Sequence, residues 1–236
     1  RVTEVGQHSV LISREGREIP IQDSAAPIRD TGGRLAGAVL VVHDVSKERQ
    51  LRRQLAHHAA HDSLTGLINR REFELRLDNA LVSARAGVEH VLLYIDLDQF
   101  KVVNDTCGHT AGDHLLKQIT SLIRGLVRTS DTVARLGGDE FGVLLERCSL
   151  ERAIEIADDM RAAIRSYRFV AKDASFEIGA SIGLVAIDAD TENIESLLSA
   201  ADVACYSAKD LGRNRVHVYQ QGAAPERHAE MQWVSR

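Results

Sequence analysis

Apolar and polar positions follow two rhythms along this chain, and each predicts a different kind of element. Over residues 1–45 the apolar residues fall in short runs. His8 to Ile12, Ile19 to Ala25 and Ala38 to His43 read as strands, joined by turns at Arg14-Glu15-Gly16 and Asp30-Thr31-Gly32-Gly33. Three strands in so short a stretch are too few to fold alone. From Ser46, read as an N-cap, to about Ala60 the composition shifts to Lys, Glu, Arg, Gln, Leu and Ala, which predicts a helix with Leu51 and Leu55 on one face. The remainder mixes both rhythms. Helices are expected at about Arg71 to Ala86, Gly112 to Arg128, Leu150 to Ser166 and Ile194 to Asp210. Strands are expected at His90 to Leu97, Phe169 to Ala171, Phe176 to Ile187 and Arg215 to Tyr219, with a hairpin over about Thr132 to Leu145. Helices interleaved with hairpins predict an α+β fold, a largely antiparallel central sheet flanked by helices.

Composition narrows the function. The 236 residues are 44% hydrophobic, enough for one ordinary core and a smaller piece. The net charge is −5 and no run of Lys and Arg stands out, so neither a nucleic acid nor an acidic membrane is an expected partner. Cys107, Cys148 and Cys205 are odd in number and lack disulfide or metal-ligand spacing, which suits packing roles in a reducing, cytoplasmic setting. No apolar run approaches the roughly 18 residues of a membrane-spanning helix, and no signal segment is read at Arg1. His57 and His61 lie one turn apart on the first helix beside His58, but no acid or Cys completes a metal set, and a solvated helix end is expected.

The chemistry concentrates elsewhere. Arg135-Leu136-Gly137-Gly138-Asp139-Glu140-Phe141 places two acids at the tip of a tight hairpin, where glycine lets the backbone turn and lets a bulky anion approach. Acids there can hold a hard cation against phosphates. Alone, such a heptad reads as an ordinary solvated turn. Upstream, the apolar run Val91 to Leu97 ends in Asp96 and Asp98, which period two sends to one side, giving the carboxylate cluster that a two-metal site requires. Then come Asn104-Asp105-Thr106-Cys107-Gly108-His109 and Gly112-Asp113, polar groups suited to the edge of a purine.

Together these residues resemble the GGDEF family of diguanylate cyclases. The likeness continues at Asp62-Ser63-Leu64-Thr65-Gly66-Leu67-Ile68-Asn69-Arg70 and at Asp202 to Asn214, so it covers about residues 60 to 219. Cys107 stands where the family more often has an aromatic residue. The resemblance implies a palm-like sheet and the condensation of two GTP into cyclic di-GMP with release of pyrophosphate, dependent on Mg²⁺ or Mn²⁺. It implies metal held by Asp96, Asp139 and the Leu97 carbonyl, with Glu140 either a further metal ligand or a helper in activating the attacking hydroxyl, and Gly137 and Gly138 admitting the α-phosphate. Asn104 and Asp113 are expected on guanine with His109 nearby, and Lys101, Lys209 and Arg213 on the triphosphate. Each chain holds half a site, so a homodimer, at least transient, is expected. Arg128-Thr129-Ser130-Asp131 matches the family's inhibitory site for the product, cyclic di-GMP.

Outside that span, Arg17 to Ile21 and Ala38 to Val45 resemble the last strands of a PAS sensor domain. The segment His228 to Arg236 resembles the lead-in to an EAL phosphodiesterase domain. The expected organisation is a partial PAS element at 1–45, a signalling helix at 46–61, the GGDEF domain at 62–219 and a linker toward an EAL domain at 220–236. Two other readings compete: a GTP-binding regulatory module that does no chemistry and controls a following EAL domain, and a different Mg²⁺-dependent nucleotidyl cyclase on the same scaffold.

Overall fold

The computed structural model describes residues 3–4, 9–171 and 174–220. The expected lead-in at His228 to Arg236 lies outside the described residues, as does His8, the start of the first expected strand. The chain divides into two compact units, Arg1–Ala59 and Ala60–Arg236.

The first unit holds β1 (Thr3–Glu4), β2 (Val10–Ile12), β3 (Glu18–Arg29) and β4 (Leu35–Asp44). β3 and β4 pair antiparallel around a turn in which Asp30 Oδ1 accepts from the N–H groups of Gly32 and Arg34, both at 2.9 Å. Leu35, Val39, Leu40, Val41 and Val42 are all exposed, so β4 has no buried face within its own unit. Helix α1 (Ser46–Ala60) follows, with Asp44 Oδ1 accepting from the Ser46 N–H at 2.8 Å. The side-chain cap therefore comes from Asp44, two residues before the expected one. Leu51 and Leu55 are exposed along α1.

The second unit runs β5 (Ile68–Asn69), α2 (Arg70–Ala84), β6 (His90–Asp98), α3 (Phe100–Cys107), α4 (His109–Leu126), β7 (Thr132–Gly137), β8 (Glu140–Leu145), α5 (Leu150–Ser166), β9 (Arg168–Ala171), β10 (Ala174–Glu177), β11 (Gly179–Ile187), α6 (Ile194–Asp210) and β12 (Arg215–Val218). The main sheet has the order β12-β11-β6-β8-β7-β5. Its centre is antiparallel as expected, while both edge pairings, β11 with β12 and β5 with β7, are parallel. β6 lies in the middle and sorts its side chains by period two. Leu93, Ile95 and Leu97 enter one core with Leu115 and Ile119 of α4 and Met160 and Ile164 of α5. Leu92 and Tyr94 enter the other with Phe73 and Leu77 of α2 and Leu197, Ala201 and Cys205 of α6. Asp96 and Asp98 continue the second series, toward α6.

Two contacts set the spacing of that second layer. The space opposite Gly142 is filled by the Phe73 ring, whose Cε1 lies 2.6 Å from where a Cβ would stand. At Gly183 a Cβ would stand 2.5 Å from the carbonyl oxygen of Ala201, so α6 lies directly on the β11 backbone.

Helix α3 departs from expectation. Gln99, at φ 64°, turns the chain straight out of β6, and Phe100, Val103 and Cys107 form a buried stripe at helical spacing. The helix expected from Gly112 begins at His109 and ends at Leu126. The strand expected from Phe176 to Ile187 is interrupted at buried Ile178, and Gly179 then pairs with Asp98. Cys107 and Cys205 are buried and Cys148 is half-buried, all three as free thiols. Burial pushes the Cys205 thiol up to about 12.

Candidate functional site

The acid hairpin forms because β7 and β8 pair with Gly137 opposite Glu140, leaving Gly138 and Asp139 as a two-residue turn. Gly138 adopts φ 46°, which the first position of such a turn demands. Open space lies over both glycines. Arg135 fastens the turn from beneath: its Nε and Nη2 donate to the Gly138 carbonyl at 3.0 and 2.8 Å, and its Nη1 donates to both Asp62 oxygens at 3.2 Å. Asp62 also accepts from the Thr65 N–H and hydroxyl. Burial pushes its carboxyl up, but these hydrogen bonds and the Arg135 charge prevail and hold it below the usual range. Arg135 and Asp62 carry no role in the sequence reading, although the Asp62 motif and the hairpin motif each belong to the matched span.

β8 sets Glu140 directly opposite Asp96 on β6, and the Leu97 N–H donates to the Asp139 carbonyl at 3.3 Å. The hairpin tip therefore lies over the end of the central strand. Arg70 Nε donates to the Leu136 carbonyl at 3.2 Å, and its Nη2 lies 3.8 Å from Glu140. Tyr94, two residues before Asp96, has its phenol pushed up by burial and by Glu140. Lys209 Nζ sits 2.6 Å from Asp96 Oδ2. Burial raises the Asp96 carboxyl; Lys209 opposes this, and Asp139 and Glu140 add to it.

Asp98 does not join this cluster. It is 6% exposed, and its oxygens accept from the Ser181 hydroxyl at 2.8 Å and the Asn214 N–H at 2.9 Å. The expectation that four acids gather for metal is corrected accordingly. Among the described residues no group of three or more His, Cys, Asp or Glu side chains is arranged to hold a metal ion. Asp96, Asp139 and Glu140 neighbour one another at one strand end without converging into such a group. That donor set suits Mg²⁺, which takes one or two carboxylates and completes its shell with water and substrate phosphate.

The α3–α4 corner sets Asn104 against Gly112, the residue before Asp113. Gly112 is buried and a Cβ there would collide with Asn104 Oδ1, while its neighbour Asp113 is exposed. Asn104 Oδ1 is buried with no hydrogen-bond partner among the described residues, an acceptor in want of a donor. Lys101, at the start of α3, and His109, at the start of α4, are exposed. Arg213, at φ 61°, leads the turn after α6, and its N–H caps the Ala208 carbonyl. On the other side of the unit, Asp131 closes the turn after α4: Oδ2 accepts from the Arg128 N–H at 2.9 Å and Oδ1 from the Glu146 N–H at 3.3 Å. A cavity of about 380 Å³ beside it is lined by Arg76, Arg124, Arg128 and Asp131.

A mixed sheet with a Gly-Gly-Asp-Glu hairpin over its central strand defines a class, and comparison names it. The family described as "Diguanylate cyclase, GGDEF domain" matches residues 59–215, and the chain belongs to it. The probable diguanylate cyclase DgcE of Escherichia coli is 42% identical over 230 residues, 96% of this chain and 21% of that protein. The cyclic di-GMP phosphodiesterase PdeB of Shewanella oneidensis is 36% identical over 200 residues, 84% of this chain and 23% of that protein. The chain thus spans between a fifth and a quarter of the length of these two relatives. The solved coiled coil and GGDEF domain of DgcB from Caulobacter crescentus, in complex with c-di-GMP, superposes with a TM-score of 0.70 at 30% identity, covering 74% of this chain and 93% of that one.

Proposed function

We propose that this chain is a diguanylate cyclase, joining two GTP into cyclic di-GMP across a homodimer. The observation that carries the reading is the register that sets Glu140 against Asp96 beneath an open Gly-Gly turn. The unpartnered Asn104 oxygen nearby supplies a place for a base. Each 3′-hydroxyl attacks the α-phosphate of the other nucleotide and displaces pyrophosphate. Asp96, Asp139, Glu140 and the Leu97 carbonyl hold Mg²⁺ or Mn²⁺, which supplies Lewis acidity at the phosphate when bound. Gly137 and Gly138 leave room for the α-phosphate, and Glu140 accepts the hydroxyl proton. Lys101, Lys209 and Arg213 carry the triphosphate. Asn104 accepts from guanine, with Asp113 and His109 on the same edge, so GTP is preferred to ATP. Arg128 and Asp131 bind product and restrain the enzyme, the Arg128 side chain forming no ion pair among the described residues while Asp131 shapes the turn.

Residues 1–45 are read as the trailing strands of a PAS-type sensor, 46–61 as a relay helix, 62–219 as the cyclase and 220–236 as a linker toward an EAL domain. The exposed apolar β4 supports the first assignment. Incubation with GTP and Mg²⁺, followed by nucleotide separation, tests the activity, with the rate expected to rise faster than linearly with protein concentration. GTP binding without product at high protein concentration favours the second reading, a regulatory module, to which the likeness to a phosphodiesterase lends support.

A further inference from the structure

Tyr94 carries a phenol into the buried apolar layer between the sheet and helices α2 and α6, where it is 7% exposed. Its two cross-strand neighbours are both glycines, Gly142 on β8 and Gly183 on β11. Each leaves a gap that another element fills. The Phe73 ring lies over Gly142, and the α6 backbone at Ala201 and Cys205 lies over Gly183. The tyrosine ring is therefore walled on both flanks, and the room left to it runs along its own strand. The next residue on the same face is Asp96, with Glu140 opposite it on β8. Glu140 is thus a diagonal neighbour of Tyr94, within reach of an aromatic side chain. The phenol meets that carboxylate: burial first, then the charge and hydrogen bond of Glu140, push the phenol up, Asp202 adds to this and Arg70 opposes it. Arg70 approaches the same carboxylate from the start of α2, its Nη2 3.8 Å from Glu140 Oε2 while its Nε is fixed on the Leu136 carbonyl.

Leucine or phenylalanine fills a core position of this kind at no polar cost, whereas a buried hydroxyl is destabilising unless it is bonded. The bond that Tyr94 makes goes to an acid of the site, and a hydrogen bond to a charged acceptor is stronger than one between neutral groups. A neutral donor leaves the carboxylate its charge and restricts its direction. We infer that Tyr94 is a positioning residue whose phenol donates to Glu140 and, together with Arg70, holds that carboxylate in one direction at the strand end. Glu140 is then ordered before metal and nucleotide arrive, which spares part of the entropy that binding costs. The consequence for turnover rests on the cyclase reading; the hold on Glu140 does not.

The test compares the full chain with Tyr94→Phe, which removes the hydroxyl and keeps the ring, each with and without Glu140→Gln. Calorimetry reads Mn²⁺ affinity in the presence of a GTP analogue with a methylene between its α- and β-phosphates, and steady-state kinetics reads kcat and KM for GTP. Thermal midpoints check that each variant folds, and Tyr94→Met, which also lacks the hydroxyl, replaces a phenylalanine variant that does not. Tyr94→Phe should weaken Mn²⁺ binding about tenfold and lower kcat about tenfold, with KM for GTP within about twofold of wild type. In chains carrying Glu140→Gln the same substitution should leave Mn²⁺ affinity unchanged. An equal loss with and without Glu140→Gln means that Tyr94 acts on the fold and not through Glu140, and overturns the inference. Mn²⁺ affinity that stays level or rises in Tyr94→Phe overturns it too, as does a wild type that neither binds Mn²⁺ nor turns over, which leaves Glu140 no task. A chain that makes no cyclic di-GMP yet loses Mn²⁺ affinity with Tyr94 only while Glu140 is present keeps this inference and loses the cyclase reading.

Discussion

Asp96 and Asp98 stand two residues apart on one face of one strand, and they lead opposite lives. Asp96 meets the Lys209 ammonium and two neighbouring carboxylates, and burial holds its carboxyl above the ordinary range. Asp98 is enclosed by a hydroxyl and a backbone N–H from elements far away in sequence, Ser181 and Asn214. The first arrangement leaves a charge that a ligand can complete. The second is complete as it stands, so position on a strand end does not by itself make an acid functional; the partners decide.

The sharpest way to break this contrast is to remove each carboxylate separately. Asp96→Asn is expected to cut turnover about a thousandfold or more, worth about 4 kcal/mol of transition-state stabilisation, while the unfolding midpoint shifts by only a few degrees. Steady-state kinetics beside a thermal melt would show it, and near-normal turnover in folded protein would remove Asp96 from the metal site. Asp98→Ala should do the reverse. It orphans a buried hydroxyl and a backbone N–H and is expected to cost about 2–4 kcal/mol of stability in denaturant titration, with turnover per folded molecule falling far less. A loss below about 0.5 kcal/mol would mean that the buried network is not structural.

The same distinction separates Asn104, half-buried with an unsatisfied buried oxygen, from Asp113, which is exposed. Asp113→Ala should weaken GTP binding by about tenfold and ATP binding by less, read by calorimetry. Equal losses for both nucleotides would show that this corner does not read the base.

The smallest effect lies at the opposite end of β6, at His90. Its Nδ1 lies 3.3 Å from the Arg147 N–H and its Nε2 is 2.8 Å from the Ser83 hydroxyl, which donates to the Ala80 carbonyl. A ring that accepts at Nδ1 and donates at Nε2 is neutral, and burial lowers its pKa; Glu146 opposes and Arg147 reinforces that direction. The unfolded chain therefore binds the proton more readily than the folded one. Stability from this group is full above about pH 6.5 and declines as pH falls from there toward the lower folded value, by less than about 1.4 kcal/mol per pH unit. His90→Asn should flatten that slope between pH 6.5 and 5 in denaturant titrations; an unchanged slope would mean that His90 does not titrate on unfolding.

Legibility in the sequence followed the range of the forces involved. Helices α5 and α6 match expectation residue for residue, because their local caps, Ser149 and Asn193, accept from Arg152 and Ser196 three positions on. The hairpin was legible because two glycines and two acids are neighbours. Helix α3 was hidden by Asn104, Asp105 and Thr106, which read as loop, and by Gln99, whose left-handed turn no local rule anticipates. The fate of Asp98 was hidden by distance along the chain, since its partners lie 83 and 116 residues away. The fastening of the turn by Arg135 and Asp62 spans 73 residues and was equally out of reach.

The missing side chain at Gly183 works as a gauge for the whole arrangement. It seats α6 on bare strand backbone, and that seat sets how far Lys209 reaches across the strand end to Asp96. A single methyl at this position acts as a shim, lifting the helix and carrying its ammonium with it. A displacement of about 1 Å is enough to cost a reaction about a hundredfold. The placing of Lys209 against Asp96 is thus machined at a buried residue of the strand beneath the helix, away from both side chains.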